Sequence, residues 1–273
     1  MTETKPLRVP DLQAMKSRGE KISMLTAYDS TMAGLLDQAG IDVLLVGDSL
    51  GMVILGGEDT LQVTMDDMVR HTKAVRRGAK RALILADMPF MSYQASTADA
   101  VRNAGRLLQE GGAAAVKLEG GTPVLATVER LVSLGIPVVG HLGLMPQSVH
   151  QLGGFKRQAG TLDAREKLLT EAEALENAGV CALVLECIPE DLAREVTARL
   201  KIPTIGIGSG PHCDGQVLVS YDLLGLTAKT PPFVRKYAQL DAVVVEAARA
   251  FAQDVKAHDV ERKDVKTKDI KNG

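Results

Sequence analysis

At 273 residues with 45% hydrophobic content, the chain is long enough for one domain with an ordinary core, the size at which barrels of about 250 residues form. A formal net charge of -2 and a pI near 6.2 exclude a general attraction to nucleic acid or anionic membrane and direct attention to a small-molecule partner. Three cysteines, Cys181, Cys187 and Cys213, with no CxxC pair, speak against a disulfide framework, and the N-terminal MTETKPLRVPDLQ has no apolar signal core, so a soluble cytoplasmic protein is expected.

In chain order, Pro10 and Asp11 open a first helix, LQAMKSR, which Gly19 closes, and ISMLTAY reads as the first strand. The chain then alternates. STMAGLLDQAG is a helix and VLLVG a strand; TMDDMVRHTKAVRRG is a helix and ALILAD a strand. TADAVRNAGRLLQEGG and AAVKLEG repeat the pair, as do VLATVERLVSLG and VVGHLG, then DAREKLLTEAEALENAG and ALVLEC, then EDLAREVTARL and TIGIGSG. Helices closed by Gly and followed by fully apolar runs are βα units around a parallel sheet. Seven strands precede Gly210, and the eighth is expected near QVLVSYD, because Pro211 to Gln216 is too short for a crossover helix. The fold expected is an α/β TIM barrel with a degenerate final unit and helices in VRKYAQL and AVVVEAARAFAQDV behind it. An open doubly wound sheet is the alternative, without a GxGxxG at the first helix to support it. From Asp254 the pentapeptides DVKAH, DVERK, DVKTK and DIKNG fit neither helical nor strand periodicity. Residues 1–253 are therefore read as one catalytic domain and 254–273 as a charged, solvated tail.

Chemistry collects where the apolar runs stop. Asp48 and Asp87 directly follow strands, as two hard oxygen ligands for a Mg²⁺-type cation would; each alone also suits a helix cap. Lys117 and Glu119, two apart in VKLEGG, point to one face, where the lysine is expected to clamp a substrate carboxylate, form a Schiff base or sit in a salt bridge, and the glutamate to reach a metal through water. Glu186, ending LVLE, has the setting of a general base if apolar neighbours enclose it. His141 suits a substrate contact or a loop anchor, Ser49 offers a donor to an anionic oxygen, and His71 falls within an amphipathic helix. GIGSG resembles a phosphate loop only weakly, and P-loop, HExxH and GxSxG motifs are absent from the sequence.

The segments TAYD, VGDSLGM, TMDDMVRHTKAVRRG, LADMPFMSY, VKLEGG, GHLGLMPQSVHQLGGFKRQ, LVLECIP and IGIGSGPHCDGQVLVSYDLLGL, in order from about Thr26 to Leu226, closely resemble the ketopantoate hydroxymethyltransferase family. Departures are small: the family's GAG is here Gly208-Ser209-Gly210, and TPKF is Thr230-Pro231-Pro232-Phe233. The resemblance implies a barrel of the phosphoenolpyruvate mutase and isocitrate lyase kind and a homo-oligomer, frequently a decamer. It implies transfer of a hydroxymethyl group from 5,10-methylenetetrahydrofolate to 3-methyl-2-oxobutanoate, giving ketopantoate for pantothenate biosynthesis, with Mg²⁺ stabilising an enolate. Carried over, Asp48 and Asp87 match metal ligands that also face the substrate, with Glu119 near the metal. Ser49 and Lys117 match keto-acid contacts, His141 is placed with them, and Glu186 matches the general base. Two other classes compete: a magnesium-dependent carbon–carbon lyase needing no folate, and a non-catalytic ligand-binding barrel.

Overall fold

The glycine-punctuated alternation of apolar run and amphipathic helix closes on itself. In a computed structural model of the protein, which describes residues 5–257, the runs form β1 (Ile22–Thr26), β2 (Val43–Val46), β3 (Leu83–Asp87), β4 (Ala115–Glu119), β5 (Val138–Gly143), β6 (Ala182–Glu186), β7 (Thr204–Ile207) and β8 (Gly215–Leu218). Each strand pairs in parallel with the next, and β8 pairs with β1, so the sheet is a closed barrel and the open-sheet alternative is overturned. The helices are α1 (Val9–Arg18), α2 (Ser30–Gln38), α3 (Leu50–Val53), α4 (Met65–Gly78), α5 (Thr97–Gln109), α6 (Leu125–Ser133), α7 (Val149–Leu152), α8 (Leu162–Asn177), α9 (Glu190–Arg199), α10 (Ser220–Leu223) and α11 (Leu240–Lys256).

Local chemistry sets these boundaries. Thr64 opens α4 with a reciprocal capping box, accepting from the Asp67 backbone N–H at 3.2 Å while the Asp67 carboxylate accepts from that of Thr64 at 3.1 Å. Along the strands, side chains alternate between two cores: Leu83, Leu85 and Val184 fill the barrel, while Ile84, Leu118 and Leu183 face the surrounding helices. Leu12 and Met15 of α1 join the inner cluster and plug the amino-terminal end, which leaves the carboxyl-terminal end for the polar side chains.

Three expectations change. The helix expected over 234–240 does not form; helix begins only at Leu240, because the preceding Pro231-Pro232-Phe233-Val234 run lies along the barrel mouth and the Tyr237 N–H donates to the Leu223 carbonyl at 2.8 Å. The last strand stops at Leu218, before SYD, because the Ser220 N–H donates to Thr26 Oγ1 at 2.9 Å and Ser220 starts α10. Helix α11 runs past Asp254 to Lys256; the rest of the pentapeptide repeat, 258–273, lies outside the described residues. No residue of α11 is buried, and Val243, Val244, Val245 and Phe251 are exposed on it.

One close approach fixes the β5–β6 edge of the mouth. Gly143 has φ +97°, and a Cβ there would lie 2.1 Å from the Glu186 carbonyl oxygen, to which the Leu144 N–H donates at 2.8 Å. Gly143→Ala is therefore expected to cost more than the about 1–3 kcal/mol of a strained residue alone. Thermal unfolding checks this, and an unchanged melting temperature contradicts it.

Candidate active site

Register decides which side chains meet. Asp87 on β3 pairs with Lys117 on β4, Glu119 pairs with His141 on β5, and Gly143 pairs with Glu186 on β6. Paired residues of parallel strands point to the same side, so two charged couples arise directly from the sheet. Asp48 and Ser49 enter from the turn after β2. All seven residues singled out from the sequence, Asp48, Ser49, Asp87, Lys117, Glu119, His141 and Glu186, line one cavity of about 1170 Å³ at the carboxyl ends of the strands. His71 lies elsewhere: its Nδ1 is 2.6 Å from the Tyr28 carbonyl oxygen.

The floor of the cavity is a dense charge network. Lys117 Nζ lies 3.0 Å from Asp87 Oδ1 and 3.3 Å from His141 Nδ1. The Asp48 backbone N–H donates to Asp87 Oδ2 at 3.1 Å. His141 Nδ1 is 3.6 Å from Glu119 Oε1, and its Nε2 is 3.3 Å from Glu186 Oε2. None of Asp48, Asp87, Lys117, Glu119 and His141 is more than 6% exposed. Burial, with Asp87 and Glu119 close by, holds the Asp48 carboxyl well above the usual carboxylate range. Burial also raises Asp87, against the pull of Lys117. Glu119 goes the other way: burial opposes its charge, but His141 and Lys117 outweigh it. On His141, burial and Lys117 oppose protonation, yet contacts with Glu119 and Glu186 push the imidazole up to about 9. Lys117 is raised as well, its burial more than offset by Asp87, Glu119 and Asp48.

Glu186 is not in the apolar enclosure expected of it. Its side chain keeps 16% exposure and faces an imidazole. Cys187 beside it has φ +50°, its N–H donates to the Ile207 carbonyl at 2.8 Å, and it too lines the cavity. Within GIGSG, fully buried Ser209 donates to the Leu185 carbonyl at 2.9 Å, and Gly208 admits the Phe233 ring, which a Cβ would meet at 2.9 Å.

Sequence reasoning missed Gln147, Tyr93 and Tyr28. Gln147, 5% exposed in the turn after β5, contacts Asp48, Glu119 and Tyr93, while Tyr28 shares a 2.8 Å hydrogen bond with Ser49. The available signal was that Gln147, like the other polar residues, closely follows an apolar strand. Higher up, Phe155, Arg157, Lys229 and Phe233 frame the opening.

Hard oxygen donors crowd this floor, and Asp87 Oδ1 has no hydrogen bond of good geometry although Lys117 is close. Among the described residues no three His, Cys, Asp or Glu side chains form a ready-made metal cage. That donor set fits Mg²⁺, which is commonly held by one or two carboxylates, with waters and substrate oxygens completing the octahedron.

A family model described as ketopantoate hydroxymethyltransferase matches residues 6–260. The 3-methyl-2-oxobutanoate hydroxymethyltransferase of Moorella thermoacetica is 57% identical over 257 residues, covering 94% of this chain and 96% of its own. That of Desulfotalea psychrophila is 58% identical over 250 residues, covering 91% and 90%. Among solved structures, 2,3-dimethylmalate lyase, a PEP mutase/isocitrate lyase superfamily member, aligns with a TM-score of 0.62 at 16% identity over 95% of this chain and 91% of its own. A phosphonopyruvate hydrolase complex with oxalate and Mg²⁺ aligns with a TM-score of 0.63 at 12% identity, covering 97% and 93%. These two likenesses establish the fold alone, a closed parallel barrel. The sequence matches go further: the chain belongs to the ketopantoate hydroxymethyltransferase family.

Proposed function

We propose that the chain forms ketopantoate from 3-methyl-2-oxobutanoate and 5,10-methylenetetrahydrofolate, in the reaction for which its family is named, with Asp48 and Asp87 holding Mg²⁺ and Glu186 acting as the base. The observation that carries the residue assignment is the convergence of Asp48, Asp87, Lys117, Glu119, His141 and Glu186 on one buried floor. Relatives of 57% identity named for hydroxymethyl transfer leave the lyase and the non-catalytic barrel without support.

Bound Mg²⁺ would supply Lewis-acid polarisation of the substrate's keto oxygen. The protein's own groups do the rest. Lys117 holds the substrate carboxylate as a point charge, and Ser49, oriented by Tyr28, donates to the same end of the molecule. Glu186 removes the C3 proton, and protonated His141, 3.3 Å away, keeps the carboxylate aimed. The deprotonated C3 attacks the methylene carbon and water adds the hydroxyl, so one C–C and one C–O bond replace the two C–N bonds to folate N5 and N10, and the proton from C3 and one from water end on those nitrogens. Glu119 stays hydrogen-bonded at the rim of the metal position and acts there through water. The volume of about 1170 Å³ accommodates both the small keto acid and a larger co-substrate.

The enzyme is further read as a cytoplasmic homo-oligomer, a decamer being the count its resemblance implies. Three unpaired cysteines suit a reducing compartment, and among the described residues no helix is long and apolar enough to cross a membrane. The exposed valines and Phe251 of α11 favour a contact between subunits. Light scattering is expected to give a mass several times that of the 29.1 kDa chain; a monomer contradicts the assembly.

Proton abstraction separates from one-carbon transfer in deuterated water. With Mg²⁺ present, the wild type is expected to exchange the C3 hydrogen of 3-methyl-2-oxobutanoate, followed by NMR. Glu186→Gln should slow exchange and ketopantoate synthesis together, by roughly 10²–10⁴-fold, while Mg²⁺ binding persists. Asp48→Asn should lose exchange and Mg²⁺ affinity together. Wild-type exchange in Glu186→Gln removes that residue as base; undiminished Mg²⁺ affinity in Asp48→Asn removes the metal assignment.

A further inference from the structure

We infer that Gln147 is a positioning residue that ties one oxygen of each of two carboxylates, Asp48 and Glu119, leaving the other oxygen of Asp48 for the cation and that of Glu119 toward His141. The inference rests on the Mg²⁺ reading above and deepens it. Gln147 sits in the 3₁₀ turn Pro146–Ser148, directly after β5. Its Nε2 donates to Asp48 Oδ2 at 2.8 Å and to the Met88 carbonyl at 2.9 Å, so both amide hydrogens are used. Its Oε1 accepts from Tyr93 Oη at 2.8 Å and from Gln94 Nε2 at 3.1 Å, so both lone pairs are used. A flipped amide would set its oxygen against two acceptors, Asp48 Oδ2 and the Met88 carbonyl, so this environment permits a single orientation.

The backbone completes the arrangement. The Gln147 N–H donates to Glu119 Oε2 at 3.1 Å, and Tyr93 Oη accepts from the Glu119 N–H at 3.1 Å. Asp87 follows the same rule by another route, its Oδ2 taken by the Asp48 N–H. Each of the three carboxylates thus has one oxygen tied to an N–H of the protein and the other directed to Lys117, His141 or the cavity. A carboxylate free to rotate would offer both oxygens and lose entropy on binding; a tied one presents a single oxygen in place.

Because Tyr93 touches Gln147 and Glu119 but makes no hydrogen bond to Asp48, the two residues can be graded. Gln147→Met keeps length and volume and removes both side-chain donors. Tyr93→Phe leaves Gln147 in position with one fewer partner. Mg²⁺ affinity is measured by calorimetry on the full-length wild type and both variants, alongside the melting temperature of the metal-free proteins and the KM for 3-methyl-2-oxobutanoate at saturating Mg²⁺. Gln147→Met is expected to weaken Mg²⁺ binding by roughly 10–100-fold, the range for residues that orient metal ligands, and Tyr93→Phe by less. The KM at saturating metal should stay within about twofold of wild type. Should Gln147→Met fail to fold, Tyr93→Phe alone decides, since a purely structural tyrosine would lower the melting temperature without changing Mg²⁺ affinity. Wild-type Mg²⁺ affinity in the folded variants overturns the positioning role while leaving the metal reading intact. Absence of Mg²⁺ binding in the wild type overturns both.

Discussion

The structure depends on an imbalance of buried charge. On the cavity floor four carboxylates, Asp48, Asp87, Glu119 and Glu186, face one ammonium and one imidazole, and the first three carboxylates are nearly inaccessible to water; Asp222, Arg157 and Lys229 line the same cavity. Burying unpaired charge is expensive, and a site with more anions than cations relieves the excess by taking up protons or a cation. Burial raises the carboxyls of Asp48 and Asp87, with neighbouring carboxylates adding to it; at Glu119 burial is outweighed by His141 and Lys117, and the carboxyl is lowered. Among the six floor groups two negative charges remain unbalanced when every one, the imidazole included, is ionised. A divalent cation balances them, and an anionic keto acid then finds an attractive rather than a repulsive floor.

The barrel tolerates this concentration because it separates its tasks. Apolar side chains fill the interior lower down, α1 closes the amino-terminal end, and the strands deliver polar groups at inward positions near their carboxyl ends. Sheet register then makes the pairs: Asp87 beside Lys117 and Glu119 beside His141 are consequences of strand alignment, without any loop having to fold correctly. Groups on rigid strands hold their geometry better than groups on loops. The loops contribute Asp48 and Ser49 from the turn after β2 and Gln147 from the turn after β5.

Much of this was legible in the sequence for a physical reason. A fully apolar run ending in Asp, Glu or His is costly unless the end is functional, and side-chain alternation put Lys117 and Glu119 on one face. Register was not legible, so which carboxylate meets which cation emerged only from the fold. Gln147 and Tyr93 were passed over because Gln and Tyr in a turn read as ordinary surface residues; only their burial and saturated hydrogen bonding set them apart. Helices α3, α7 and α10, four residues each, are too short to show a period. The segment 234–239 carried helix-forming residues, but the barrel mouth took Phe233 and Val234 as lining and α11 began after it. Glu186 was expected among apolar neighbours; its register beside Gly143, where no side chain intervenes, leaves it open to His141.

The central claim is that this anionic floor accepts an anionic substrate only once a divalent cation is present. The most direct measurement is the affinity of the wild-type protein for 3-methyl-2-oxobutanoate, without folate, titrated in Mg²⁺ and again in excess EDTA. Linkage requires each ligand to raise the affinity of the other by the same factor. The account predicts at least about tenfold tighter keto-acid binding with Mg²⁺, corresponding to about 1.4 kcal/mol of coupling. Equal affinity in Mg²⁺ and in EDTA would contradict it.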